Sequence, residues 1–132
     1  MELKEHFSIK KYNSFGFDIA AKYFYIFTSI KELIQLLEKV NNFKHLILGG
    51  GSNILFTKDF DGLVIKNDLK GIKLIDEDRN HYTVKVLSGE NWHQFVLQCI
   101  QNKWHGLENL SLIPGTVGAA PMQNIGAYGV EI

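Results

Sequence analysis

Apolar positions along the chain fall into short blocks, and their period changes from one block to the next. Residues 22–28 (KYFYIFT) are aromatic or β-branched almost throughout and read as a largely buried strand. Ser29 then stands three residues before Glu32, the spacing of a capping box, and Ile30, Leu33, Ile34, Leu37 and Val40 follow at helical intervals. The pattern predicts a helix that ends near Asn41-Asn42. His45–Leu48 is a short apolar strand running into a glycine triplet, residues 53–57 leave the triplet as another strand, and residues 62–66 (GLVIK) form a further one.

From Gly71 the pattern becomes that of a hairpin: GIKLIDE, a turn around Asp78-Arg79-Asn80, then HYTVKVLSG. A second helix is expected over about residues 91–102, with Trp92, Phe95, Val96, Cys99 and Ile100 on one face. Glu90 and Asn91 stand at its N-terminus, where capping accounts for both residue types. His93 suits a surface or capping role. The reading is therefore α+β, with two lobes meeting near residues 67–71.

Residues 113–129 (IPGTVGAAPMQNIGAYG) break this regularity. The segment has no charged side chain, and it holds both prolines and four of the twelve glycines of the chain. Glycine allows positive φ and close backbone approach, while proline fixes φ and removes a donor. It is too broken for a helix or strand and too apolar for an ordinary solvated loop. Such a backbone-rich surface suits a large, partly apolar ligand. Within it Tyr128 is either a packed anchor or a ring set beside that ligand.

A second candidate is the run Gly49-Gly50-Gly51-Ser52-Asn53. Successive glycines can turn several N–H groups toward one anion, and Ser52 and Asn53 add side-chain donors. The alternative is a plain tight turn. A Rossmann fingerprint is excluded because Ile54 occupies its third glycine position and a strand, not a helix, is expected next. No GK[ST] of a Walker loop is present.

Composition narrows the chemistry. Fourteen Lys+Arg balance fourteen Asp+Glu in 132 residues, so no basic field draws nucleic acid or an anionic membrane. The one cysteine, Cys99, rules out an intrachain disulfide and sits at an apolar helix position. His6, His45, His81, His93 and His105 lack metal-ligand spacing. No secretory signal or membrane-spanning run is evident, and the expected location is the cytoplasm.

Taken together, GGGSN, SGENWHQFV and GLENLSLIPGTVGAAPMQNIGAYGVEI closely resemble the FAD-binding domain of the UDP-N-acetylenolpyruvoylglucosamine reductase family. The early turn KKYNSFGFD fits the same family, whose N-terminal element is of NTFG type, and the resemblance spans essentially all 132 residues. It implies a two-lobed FAD-binding domain of the vanillyl-alcohol-oxidase / p-cresol methylhydroxylase type, covering residues 1–132, with non-covalent cofactor between the lobes. Gly49, Gly50, Gly51, Ser52 and Asn53 would cradle the pyrophosphate. Pro114, Gly115, Gly118, Ala119 and Ala120, with Asn124, Gly126, Tyr128 and Gly129, would lie along flavin and ribityl.

The family's reaction uses NADPH to reduce the flavin, then a hydride to UDP-N-acetylglucosamine enolpyruvate, completing UDP-N-acetylmuramate for peptidoglycan. Many members carry serines where this chain has Ala119 and Ala120. The family's proton-donating serine, its carboxylate and arginine, and the substrate domain lie C-terminal to this motif, so no catalytic residue is named in residues 1–132. The fragment alone is expected to bind FAD weakly and to be inactive. Two alternatives stay open: another FAD-dependent oxidase or dehydrogenase of the same fold, and a non-catalytic nucleotide-binding module.

Overall fold

Two clusters of buried apolar residues form, one around Phe24 and Val64 and one around Trp92 and Leu110. The computed structural model, which describes residues 2–132, accordingly divides into two compact units, one ending at Leu69 and the other running from Lys70 to Ile132.

The first unit is built on a four-stranded mixed sheet of β1 (Lys4–Ser8), β2 (Ala20–Phe27), β3 (His45–Leu48) and β4 (Phe60–Asn67), in the order β1-β2-β4-β3. β1 pairs antiparallel with β2, whereas β2 and β3 flank β4 in parallel. Parallel strands require crossover connections, and α1 (Ile30–Lys39) lies in the one from β2 to β3. On one face Ile9, Ile19, Ala21, Phe24, Leu48, Phe56 and Val64 form the core. Leu63 and Ile65 alternate with Val64 along β4 and are fully buried on the opposite side.

The capping box is present. Ser29 Oγ accepts from the Glu32 N–H at 3.2 Å, and the Glu32 carboxylate accepts from the Thr28 N–H at 2.7 Å and the Thr28 hydroxyl at 3.1 Å. These bonds hold the Glu32 carboxyl below the usual carboxylate range. The helix stops at Lys39, with Val40 as its C-cap, short of Asn41-Asn42.

Three expectations need correction here. The helix buries Leu36, while Ile30 and Ile34 are half exposed, so its inward stripe is rotated from the expected one. Residues 53–57 form no strand: the edge beside β3 is left unpaired, and the segment is irregular with only Phe56 buried. β2, expected to be largely buried, is fully buried only at Ala21, Phe24 and Phe27, with its other positions half-buried or exposed. The strand β1 and the 3-10 turn Lys10–Tyr12 have no counterpart in the sequence reading.

The second unit pairs the hairpin of β5 (Ile72–Glu77) and β6 (Tyr82–Val86) with α2 (Trp92–Gln101) and a long connection to the two-residue strands β7 (Gly126–Ala127) and β8 (Val130–Glu131). Asp78 Oδ1 accepts from the N–H groups of Asn80 and His81, closing the hairpin turn as an Asx turn. Trp92, Phe95, Val96 and Cys99 of α2 pack with Leu110, Ala120 and Ile125. Ile100 lies outside this core and is half exposed, contrary to expectation.

Candidate functional site

The turn at residues 49–53 owes its shape to the chain around residue 12. Gly51 has φ +67°, and a Cβ placed on it would lie 2.0 Å from the Tyr12 carbonyl oxygen. Only glycine fits there. The Gly51 carbonyl in turn accepts from the Ser14 N–H at 3.1 Å and the Ser14 hydroxyl at 3.3 Å.

Asn13 fixes that neighbouring turn from within. Its side chain is buried, donates to the carbonyls of Ile9 (2.9 Å) and Phe17 (3.1 Å), and accepts from the Phe17 N–H at 3.1 Å. The Asn13–Gly16 turn was readable as a turn; its clasp on Gly51 was not, because nothing in local spacing links residue 14 to residue 51. Among the described residues, no backbone carbonyl accepts from the N–H groups of Gly50, Gly51, Ser52 or Asn53. The turn is thus held through its carbonyl and keeps a row of N–H donors unused, which fits an anion such as a pyrophosphate.

Residues 113–129 are less formless than expected. They wind through 3-10 turns at Val117–Ala119 and Pro121–Gln123, then close in the β7–β8 hairpin. Tyr128 and Gly129 are the two hairpin-loop residues, with φ of 54° and 79°, the signs a type I′ turn requires. Tyr128 is 89% exposed. Of its two readings, the packed anchor is therefore set aside within this unit.

The first turn of α2 grips this loop and the residues leading into it at three points, Leu110, Leu112 and Gly115. The buried Trp92 indole N–H donates to the Leu110 carbonyl at 2.8 Å, the Trp92 backbone N–H to the Gly115 carbonyl at 3.1 Å, and the Leu112 N–H to His93 Nδ1 at 3.1 Å. Gly118 donates to the Ser88 carbonyl, and a Cβ on it would meet the Ser88 Cβ at 2.5 Å, so its lack of a side chain serves close packing. Gly115 and Thr116 are buried, and their N–H groups find no backbone acceptor among the described residues.

Pro114, Asn124, Gly126 and Gly129 are exposed, Ala119 is half-buried, and Ala120 is 1% exposed inside the core. The side chain at 120 therefore acts by packing. Asn124, at φ 45°, ends the Pro121–Gln123 turn and, with Ile125, Glu131 and Ile132, lines a cleft of about 300 Å³.

Two sequence readings change. Asn91 does cap α2, its Oδ1 accepting from the Gln94 N–H at 3.0 Å, but Glu90 does not. The Glu90 carboxylate instead accepts from the Gly71 N–H at 2.6 Å and lies 3.8 Å from Lys70 Nζ. His93 is neither a cap nor a bare surface residue, since it anchors the loop. Cys99 is buried, and that burial, with the Glu108 charge second, pushes its thiol up to about 11. It is a packing residue.

One unit carries a glycine turn on a mixed sheet and the other an uncharged, backbone-rich loop clamped by a helix start, and neither has the strand–glycine–helix arrangement of a Rossmann site. A family model described as "FAD binding domain" matches residues 21–132, and the chain belongs to that family. Its relatives carry a specific name. The chain is 54% identical over 132 residues to the UDP-N-acetylenolpyruvoylglucosamine reductase of Flavobacterium johnsoniae, covering 100% of this chain and 39% of that protein. It is 53% identical to the one of Amoebophilus asiaticus, covering 99% and 39%.

In fold it resembles the crystal structure of UDP-N-acetylenolpyruvylglucosamine reductase from Thermus caldophilus, with a TM-score of 0.74 at 23% identity, over 99% of this chain and 45% of that one. The chain thus spans about two fifths of the length of the curated relatives it matches. Among the described residues, no helix is long and apolar enough to cross a membrane.

Proposed function

We propose that these 132 residues are the FAD-holding part of a UDP-N-acetylenolpyruvoylglucosamine reductase, acting in peptidoglycan synthesis. The observation that carries this reading is the 54% identity, which runs unbroken over the full chain and so takes in both the glycine turn and the long loop. We assign the fold to the vanillyl-alcohol-oxidase / p-cresol methylhydroxylase type, the two units being its lobes. Bound FAD would supply the hydride chemistry, with NADPH as donor and the enolpyruvyl group of UDP-N-acetylglucosamine enolpyruvate as acceptor.

What this chain contributes is binding and orientation. The N–H groups of Gly50, Gly51, Ser52 and Asn53 would receive the pyrophosphate, with Gly49 leading into the turn. Pro114, Gly115, Gly118, Ala119, Asn124, Gly126, Tyr128 and Gly129 would lie along isoalloxazine and ribityl, with Ala120 behind them. The buried N–H groups of Gly115 and Thr116 are donors suited to flavin carbonyls or ribityl hydroxyls. No residue of this chain is assigned a proton-transfer role.

Titrating the chain with FAD, ADP and riboflavin tests the assignment. Contacts to both halves predict FAD binding at least tenfold tighter than either fragment, with flavin released on mild denaturation. Equal affinity for FAD and ADP would reduce the protein to a nucleotide-binding module.

A further inference from the structure

We infer that His93 is a positioning residue for the long loop, and that it sets flavin affinity through Leu112 without touching the flavin. Leu112 has φ 64° and is 78% exposed. A non-glycine residue in the left-handed region is strained, and an exposed side chain gains no packing to offset that strain. Its backbone must be held there by something else.

The described hold is the bond from the Leu112 N–H to His93 Nδ1, 3.1 Å long. Nδ1 accepts, so the ring presents a lone pair there and carries its proton on the other nitrogen. His93 follows Asn91 and Trp92 in the capped first turn of α2, and Trp92 grips the loop on both sides, at Leu110 and at Gly115. Those flanking anchors fix where the loop starts and where it meets the helix. Between them Ser111 bonds back to the Glu108 carbonyl, Ile113 packs on the core and the Pro114 carbonyl accepts from Gln123 Nε2, while His93 holds the left-handed residue itself, through the Leu112 N–H. The backbone beyond is what the flavin reading assigns to the cofactor, and the effect on affinity rests on that reading.

The contact was invisible in sequence, where His93 showed only its place in a helix start. No metal-ligand spacing in the sequence marks it as chemical.

Two variants separate the lone pair from mere bulk. Asparagine can present Oδ1 near the position of Nδ1, whereas leucine fills space and accepts nothing. Hydrogen exchange of the Leu112 amide is read by NMR on the 132-residue chain, and FAD affinity by fluorescence titration. Loss of one hydrogen bond is worth roughly five- to tenfold. His93→Leu is expected to speed Leu112 exchange and raise the Kd for FAD by about that factor, while His93→Asn stays near wild type in both.

Unchanged Leu112 exchange in His93→Leu would overturn the inference. So would equal loss in His93→Asn and His93→Leu. A wild-type chain that binds no FAD would defeat the flavin reading instead, and the exchange measurement would still decide the role of His93.

Discussion

A methyl group at residue 51 has nowhere to go. The backbone there is left-handed, and the Tyr12 carbonyl oxygen would stand 2.0 Å from the new carbon. Gly16 has the same φ of +67° but nothing within 4 Å of its would-be Cβ. The pair separates backbone strain from steric overlap. Gly16→Ala should cost about 1 kcal/mol for the left-handed conformation alone. Gly51→Ala adds the overlap and should cost at least about 3 kcal/mol. Thermal melts would show this as Tm losses of roughly 4 °C against 10 °C or more. Equal losses would mean that the Tyr12–Gly51 approach is not as close as described.

The glycine run was plain in the sequence, and so was its suitability for an anion. Its dependence on Tyr12, Asn13 and Ser14 was not, since carbonyl positions leave no trace in residue type. Trp92 and His93 were equally opaque. One reads as a core residue and the other as a helix-start histidine, and each also holds a loop many residues away.

Among the elements, those with a local cause were the legible ones. Ser29, Glu32 and the periodic run behind them announced α1; Asn91 announced α2; Asp78 announced the hairpin turn. Each is a side chain bonding to backbone within three or four residues. The misreadings fall where long-range packing decides. Ile54 and Leu55 look like strand residues, yet no neighbouring strand edge receives them. Ile30 and Ile34 match a helical stripe, but the sheet selects Leu36 instead.

The capping box also predicts a pH response. Hydrogen bonds from Thr28 and Ser29 stabilise the Glu32 carboxylate in the folded state and lower its pKa below the ordinary 4.5. Its contribution is therefore complete above 4.5 and is lost as pH falls through the lower folded value. Glu32→Gln should be less stable than wild type at pH 7, with the difference narrowing as pH falls below 4.5. A difference that stays constant to pH 2 in urea melts would show that charge is not involved.

The chain belongs to the FAD binding domain family, and its relatives bearing the reductase name are more than twice its length. GGGSN and the 113–129 loop are legible as unusual from residue types alone. The architecture that presents them, a parallel crossover around β4 and a helix start gripping a loop, required the structure.

Whether this chain holds FAD is decided by isothermal titration of FAD into the 132 residues. Saturable binding of one FAD per chain is expected, with added thermal stability of about 2.7 kcal/mol when FAD is present at a hundred times its Kd. No heat of binding and no shift in Tm at several hundred micromolar FAD, with the chain shown folded by circular dichroism, would contradict it.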